Sequence, residues 1–305
     1  TLAQPKEPDL AKVYETTLPA LLLKQASERP RRTALREKQW GVWQSFSWRD
    51  YLGLTAEFAC GLRQLGLGRG DMVIIIGDNR PEWLFAELAI QALGGMALGL
   101  YQDSPADEVR HIFELSEARL VVAEDQEQVD KMLTLRPELS HLKYICLLYT
   151  SPSQLGRLAV TAAVAELTDM AAKLRPGDAA LVATTSGTTG RPKLAVLSHR
   201  NLLSMAANLG QVDPKHQSDE FVSFLPLAWM GEQMMAVASS LLFGFCVNFP
   251  EEPDTAQANI REIGPHLIFS PPRVWEGLSA KVRGDILETT KSKRLLYNAL
   301  LPIGL

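Results

Sequence analysis

The chain has 305 residues, of which 46% are apolar and 22% charged, and its formal net charge at pH 7 is −4. This length can bury a large hydrophobic core, and the acidic balance argues against a protein organised around binding to nucleic acid. The three cysteines lie far apart and no CxxC or paired-histidine spacing occurs, which suits a reducing compartment and gives no sign of a zinc site.

The chain carries no targeting or membrane-spanning pattern. Residues 1–9 are polar and lack the basic-then-apolar order of a signal peptide. The most apolar run, 236–249, is too short to span a bilayer. These patterns predict a cytoplasmic protein, and peripheral contact with the inner face of a membrane is left open. The apolar end at 300–305 predicts that the chain is the front part of a longer protein.

Up to residue 148, amphipathic segments alternate with short apolar runs. Ser47 and Asp50 form the N-cap pattern of a helix that should stop at Gly66. The continuous apolar run 72–76 is typical of a strand that is buried on both faces. Further helices are predicted at 79–94, after a cap at Ser104, and at 126–135, with strands at 96–100, 119–123 and 144–148. Such alternation indicates βαβ units and therefore a mainly parallel sheet covered by helices.

Two polar, turn-rich breaks at 150–154 and 175–178 flank an alanine-rich helical segment at 158–174. Breaks of this kind separate subdomains or form surface loops within one fold. The sequence therefore predicts a subdomain boundary near 150–178, with surface loops as the alternative.

The most informative segment is 184–193, which reads Thr-Thr-Ser-Gly-Thr-Thr-Gly-Arg-Pro-Lys and follows the apolar run 179–183. Glycines let successive backbone N–H groups approach an anion, hydroxyls add donors, and Lys193 supplies a point charge suited to phosphate. The glycine spacing is not that of the P-loop. A strand at 195–197 and a helix from Ser198 that ends at Gly210 are predicted next. This order places a cradle for a polyphosphate at the carboxyl edge of a sheet, where open α/β folds bind ligands.

The segment 184–193 resembles the phosphate loop of the adenylate-forming enzymes, and further motifs extend the resemblance over almost the whole chain. Ser-His-Arg-Asn at 198–201 and Phe-Leu-Pro-Leu-Ala-Trp at 224–229 match recurrent motifs of that superfamily. Pro-Arg-Val-Trp-Glu at 272–276 and Gly-Asp-Asn-Arg-Pro-Glu-Trp at 77–83 are similar to segments of bacterial long-chain acyl-CoA synthetases. The chain thus resembles a long-chain fatty-acid–CoA ligase of the adenylate-forming, AMP-binding superfamily.

This resemblance implies an α/β fold, namely the large N-terminal domain of the adenylate-forming enzymes, with mainly parallel sheets flanked by helices. That domain would cover residues 1–305 in truncated form. The C-terminal lid domain is absent, as are the Tyr-Gly-x-Thr-Glu and Arg-Thr-Gly-Asp strings that hold adenine and ribose in relatives. Leu194 also replaces a glycine that often follows the lysine, and the segment 146–157 fits the family pattern poorly.

The resemblance also implies a reaction with ATP, Mg²⁺ and coenzyme A. A fatty carboxylate attacks the α-phosphate of ATP, which gives acyl-adenylate and pyrophosphate, and the sulfur of coenzyme A then displaces AMP. Because two anions must meet, catalysis would depend mostly on charge neutralisation and alignment.

By position in the family motifs, Lys193 is the implied catalytic residue and Thr188 the candidate ligand of Mg²⁺. The alternative for His199 is local structural support at a helix start, and the alternative for Trp229 is core packing. Glu232 could equally be an exposed acid at a helix start, and Arg273 could belong to an ordinary ion pair. The predicted nucleotide-binding set is Thr185, Ser186, Gly187, Thr188, Thr189, Gly190, Lys193 and His199, and the predicted substrate-binding set is Trp229, Glu232 and Arg273.

The implied partners are a fatty acid, ATP and coenzyme A, with no nucleic acid, and a homodimer is left open. Three other functions compete with the ligase: a module that binds an acyl chain or a nucleotide without turnover, an ordinary NTPase or kinase, and an amino-acid adenylation domain. The glycine spacing counts against an ordinary NTPase or kinase. No acidic residue for a substrate amine can be identified, which counts against an amino-acid adenylation domain.

Overall fold

The computed structural model describes residues 10–148, 160–185 and 190–303 of the chain. The chain divides into two compact units, Thr1–Leu267 and Ile268–Leu305. The predicted boundary near 150–178 is not where these units meet in the sequence, and it stays a prediction.

The first unit alternates helices and strands. In chain order it begins with α1 (Leu10–Val13), α2 (Leu18–Glu28), β1 (Thr33–Gln39), β2 (Val42–Ser47), α3 (Trp48–Gln64), β3 (Met72–Ile76), α4 (Pro81–Ala92), β4 (Met96–Leu100), α5 (Ala106–Ser116), β5 (Leu120–Ala123), α6 (Gln126–Leu135) and β6 (Tyr144–Leu147). It continues with α7 (Val160–Ala171), β7 (Ala179–Thr185), β8 (Lys193–Ser198), α8 (His199–Val212), β9 (Glu220–Val222), α9 (Met230–Glu232), a π-helix (Gln233–Ser239), α10 (Ser240–Phe243), β10 (Cys246–Phe249) and α11 (Ala256–Ile263). Short 3₁₀ helices occur at Arg136–Glu138 and Pro253–Thr255.

One sheet of the first unit has six strands in the order β6-β5-β3-β4-β7-β8. Adjacent strands in this sheet run parallel to each other, except that β7 and β8 are antiparallel. Ile74 of β3 pairs with Leu98 of β4 on one side and with Val121 of β5 on the other. This sheet confirms the predicted α/β class, and its inner strands are buried on both faces because helices cover them.

A second sheet has four strands in the order β2-β1-β10-β9. Strands β1 and β2 form a hairpin whose turn residues Trp40 and Gly41 have φ angles of +52° and +74°. Strand β10 lies parallel to both β1 and β9, so that Leu35 pairs with Val247. The pairing joins residues that are some 200 positions apart, and the sequence pattern did not predict this sheet.

Helix α4 lies deep in the first unit, enclosed by other helices and strands. It packs against α2, α3, α7 and strands β1, β3 and β4, and all of its residues except Glu82 are buried. A helix that is enclosed on every side needs apolar residues all round. Glu87 and Gln91 are fully buried exceptions to that rule within α4.

Local signals predicted most element boundaries of the first unit. Ser47 and Asp50 make the reciprocal capping box at the start of α3, and helix α6 covers 126–135 as predicted. Two predictions were wrong. Pro105, not Ser104, is the N-cap of α5, and no side chain caps that helix. Helix α8 does not end at Gly210 but continues to Val212. Gly210 instead provides packing space, because a Cβ at this position would lie 2.2 Å from the Phe243 ring.

The second unit contains α12 (Pro272–Leu287) and α13 (Lys291–Leu300), followed by a 3₁₀ turn at Leu301–Ile303. Neither helix has a buried residue. Exposed apolar side chains on the two helices include Trp275, Val282 and Leu295.

Candidate active site

The predicted phosphate loop connects β7 to β8. Strand β7 ends at Thr185, strand β8 begins at Lys193, and these two residues pair directly across the antiparallel ladder. Because β7 is parallel to β4, the connection leaves the sheet at the carboxyl edge, as the order of elements predicted. Thr185 and Lys193 are both exposed. Ser186, Gly187, Thr188 and Thr189 lie outside the described residues, so their predicted contacts, including Mg²⁺ at Thr188, stay predictions.

The end of this loop rests on α5. The ring nitrogen Nε2 of His111 lies 3.0 Å from the carbonyl oxygen of Pro192, immediately before Lys193. Gly190 has a φ of +88°, which favours glycine at this position. A cavity of about 550 Å³ lies between α5 and the segment 190–192. Sequence patterns did not point to His111, because its contact with Pro192 joins residues that are 81 positions apart.

The structure places His199 and Lys193 at opposite ends of β8. Ala179 pairs with Ser198 at the far end of the β7–β8 ladder from Lys193. Six residues of extended chain separate His199 from Lys193 by about 20 Å. His199 is fully buried, the Leu18 N–H donates to its Nδ1 at 3.4 Å, and burial lowers its pKa to about 4. These contacts support the structural alternative, a neutral imidazole that supports the start of α2, and the predicted nucleotide contact of His199 stays a prediction.

The loop 224–229 lies against the end of the six-stranded sheet, and Asn79 holds it there. Asn79 follows β3 and donates through Nδ2 to the Ser223 hydroxyl at 2.9 Å and to the Leu225 carbonyl at 2.5 Å. Its Oδ1 accepts from the Leu227 N–H at 2.8 Å. The sequence had singled out the segment 77–83 by resemblance, but it had not assigned a role to Asn79.

A close backbone approach fixes the other end of this loop. A Cβ at Gly99 in β4 would lie 2.8 Å from the Cα of Ala228, a separation that real side chains do not tolerate. Trp229 is half-buried, and its backbone N–H donates to the Pro226 carbonyl at 2.8 Å, just before α9 begins. The predicted acyl contact of Trp229 stays a prediction.

Glu232 is the most unusual acid of the site region. It is fully buried, and among the described residues neither of its carboxyl oxygens makes a hydrogen bond of good geometry. Burial raises its pKa to about 8, and the neighbouring Ser223 hydroxyl opposes that shift. The alternative of an exposed acid is excluded, and the carboxyl group is mostly protonated at neutral pH.

Glu232→Gln is expected to remove a pH-dependent loss of stability. The folded chain keeps this proton up to about pH 8, whereas the unfolded chain releases it near the ordinary value of 4.5. Raising the pH through that window therefore costs the folded state at most about 1.4 kcal/mol per pH unit. In thermal unfolding, the melting temperature of the variant minus that of the wild type should increase as the pH is raised from 4.5 to about 8. Parallel curves would contradict a buried, protonated Glu232.

A buried ion-pair network joins the two sheets beside the loop 224–229. Arg80 donates through Nε to Glu124 at 2.5 Å and through Nη1 to Glu37 at 2.9 Å. Glu124 also accepts from the Asp78 N–H at 2.6 Å. Burial raises the pKa of Glu37, and the Arg80 guanidinium opposes that shift.

A second cavity, of about 260 Å³, opens next to this network at the carboxyl ends of β3, β9 and β10. Its lining includes Asp78, Glu251 and Glu252. Three acidic side chains against the single cation Arg80 in this lining are a poor match for a polyphosphate.

Arg273 and Trp275 lie on α12 in the second unit, and both side chains are exposed. The substrate contact predicted for Arg273 stays a prediction. Among the described residues, no helix combines the length and apolar character that crossing a bilayer requires. The described part of the chain also lacks any group of three or more histidine, cysteine or acidic side chains arranged to hold a metal ion.

Comparison with known proteins gives a consistent set of similarities. The family model described as "AMP-binding enzyme" matches residues 22–299. A relative named long-chain-fatty-acid–CoA ligase ACSBG2, from Xenopus laevis, is 28% identical over 319 residues, which cover 98% of this chain and 43% of the relative. The human relative named long-chain-fatty-acid–CoA ligase ACSBG1 is 28% identical over 82% of this chain and 37% of its own length. The chain thus spans less than half the length of these relatives.

Solved structures show the same fold. The crystal structure of VinN superposes with a TM-score of 0.72 at 19% identity, covering 89% of this chain and 65% of that protein. A Mycobacterium tuberculosis fatty acyl CoA synthetase superposes with a TM-score of 0.69 at 19% identity, covering 82% of this chain and 47% of that protein. These similarities confirm the predicted fold class.

Proposed function

Because the chain belongs to the AMP-binding enzyme family, we propose that it holds the ATP phosphates and part of the acyl site of a long-chain fatty-acid–CoA ligase. The observation that carries the proposal is the exposed Thr185–Lys193 pair at the carboxyl edge of the six-stranded sheet. The relatives named as long-chain ligases support the substrate class. The whole reaction is proposed, since the chain spans only 43% of the first of them.

In the first step, an oxygen of the fatty carboxylate attacks the α-phosphorus of ATP, and the bond from that phosphorus to the bridging oxygen of pyrophosphate breaks. Lys193 lies at the end of the loop, where its ammonium group can approach the leaving pyrophosphate. Neutralising that developing charge stabilises the transition state more than the ground state. In the second step, the thiolate of coenzyme A attacks the acyl carbon and AMP leaves.

The loop 224–229 is proposed to form one wall of the acyl site. It is anchored to the sheet by Asn79 and by the approach of Ala228 to Gly99. Trp229, at the end of this loop, supplies an apolar surface suited to an alkyl chain. Glu232 stays uncharged in the neighbouring core, so it does not repel a carboxylate substrate.

Mg²⁺ enters the proposal as an ion carried by the ATP phosphates. It prefers oxygen ligands and usually keeps waters and substrate phosphates in its coordination shell. The exposed Thr185 hydroxyl fits that chemistry. When bound, the ion would neutralise part of the triphosphate charge.

The test is exchange of labelled pyrophosphate into ATP, measured with the intact protein. Exchange that depends on a long-chain fatty acid such as palmitate supports the ligase. Calorimetric binding of ATP or palmitate without exchange would indicate the competing module that binds without turnover. Hydrolysis of ATP without any fatty acid would indicate an ordinary NTPase.

A further inference from the structure

Glu87 is buried at the centre of the first unit without a cationic partner. It lies on α4, is fully buried, and forms no ion pair among the described residues. Its carboxylate instead accepts three side-chain N–H groups: Trp83 Nε1 at 3.2 Å, Gln91 Nε2 at 3.1 Å and Gln233 Nε2 at 2.9 Å. Burial disfavours the charged form of this carboxyl group and raises the pKa of Glu87 to about 7, so an ionisable group is costly at this position. Packing alone does not account for an acid here, since a leucine would fill the same space.

The contact with Gln233 connects α4 to the loop 224–229. Gln233 is nearly fully buried, and its Nε2 donates both to Glu87 and to the Leu227 carbonyl, the latter at 2.8 Å. It is the first residue of the π-helix that follows Glu232. Such helices are rare and occur frequently at functional sites. Glu87 therefore fixes the amide of Gln233, and that amide fixes the carbonyl two residues before Trp229.

We propose that Glu87 is a positioning residue that holds the segment 227–233, and with it Trp229, through the amide of Gln233. The effect on fatty-acid binding rests on the proposed function, but the positioning itself does not. Without the carboxylate, the Gln233 amide keeps only its hydrogen bond to the Leu227 carbonyl, so that this bond and the segment that carries it are held less firmly.

The first test is hydrogen exchange of the segment 224–233, which needs no enzymatic activity. Glu87→Ala and Gln233→Ala should each speed exchange there by more than about tenfold, since opening of the segment becomes easier, while 120–123 in β5 stays protected. The double variant should match either single variant, because both remove one linkage. Unchanged exchange in both single variants, or additive effects in the double variant, would overturn the proposal.

The matched control is Gln25→Ala. Gln25 is also buried, and its Nε2 donates to a distant backbone carbonyl, Leu241, at 2.7 Å. Truncating the Gln25 side chain removes a comparable hydrogen bond, but this bond does not involve the segment 227–233. Exchange in 224–233 should therefore remain at the wild-type rate, and equal acceleration would mean that only global stability is being measured.

Glu87→Gln provides the rescue. Its amide oxygen can accept from Trp83 and Gln233 as before, and its NH₂ group can donate to Gln91, whose own Oε1 has no partner among the described residues. This variant should keep wild-type exchange in 224–233. Exchange as fast as in Glu87→Ala would contradict a role based on accepting these hydrogen bonds.

A kinetic readout then connects the position of the loop to the substrate. In protein that shows palmitate-dependent pyrophosphate exchange, Glu87→Ala should raise KM for palmitate severalfold and leave KM for ATP unchanged. Equal increases in both KM values would overturn the link to Trp229. If the wild-type protein shows no exchange reaction, the proposed function fails, and the hydrogen-exchange result still decides the positioning role.

Discussion

Lys193→Ala is expected to slow formation of the acyl-adenylate by more than about tenfold, because the variant lacks the positive charge that would face the departing pyrophosphate. The side chain is exposed at the mouth of the β7–β8 connection, directly opposite Thr185. Its removal should leave the fold intact, since no buried contact is lost. The measurement is pyrophosphate release in a single turnover with saturating ATP and palmitate.

Lys173→Ala is the control for this variant. Lys173 is also an exposed lysine, and its carbonyl accepts from Arg69, which pairs with Asp178 just before β7 begins. It therefore lies near the amino end of the strand that carries Thr185 at its carboxyl end. Release should be normal in this variant. A normal rate in Lys193→Ala as well would remove the phosphate role of that residue.

Asn79→Ala is expected to release the loop 224–229 from the sheet. The variant loses all three hydrogen bonds of the amide, and it leaves the Leu227 N–H and the Leu225 carbonyl without their partners. Unsatisfied groups of this kind cost about 1–3 kcal/mol each, so for two of them we expect a loss of roughly 2–6 kcal/mol in the free energy of unfolding. Urea unfolding measures that loss, and KM for palmitate should rise at the same time.

Asn259→Ala separates stability from positioning. Asn259 is buried on α11, and its Oδ1 accepts from the Glu251 N–H and the Thr255 hydroxyl, each at 3.1 Å. This variant should lose stability without a change in KM for palmitate. The same KM change in both variants would mean that destabilisation, and not the position of the loop, explains the effect of Asn79→Ala.

Several features follow from sequence because neighbouring residues decide them. The capping box of Ser47 and Asp50 uses groups three residues apart, and the run 72–76 reports burial on both faces directly. The segment 184–193, the predicted phosphate loop, could be placed at a sheet edge because a strand precedes it and another follows it. In each case the interactions that form the element lie within one short segment of chain.

The partners of buried polar side chains could not be predicted in this way. Gln233 meets Glu87 across 146 positions, and His199 meets Leu18 across 181 positions. The family motif placed His199 with the phosphate site or gave it a structural role, and the extended strand β8 separates it from Lys193. Distance along the chain does not measure distance in space once the chain runs as a strand.

The sequence by itself thus determined the α/β class, most of the helices and strands of the six-stranded sheet, and the position of Lys193 at the carboxyl edge. Only the tertiary structure decided that Asn79 and the Glu87–Gln233 pair hold the loop 224–229, and that Glu232 is an uncharged acid in the core. The physical reason is that hydrogen bonds and hydrophobic periodicity within one element are local, whereas burial and side-chain partners depend on how distant elements pack.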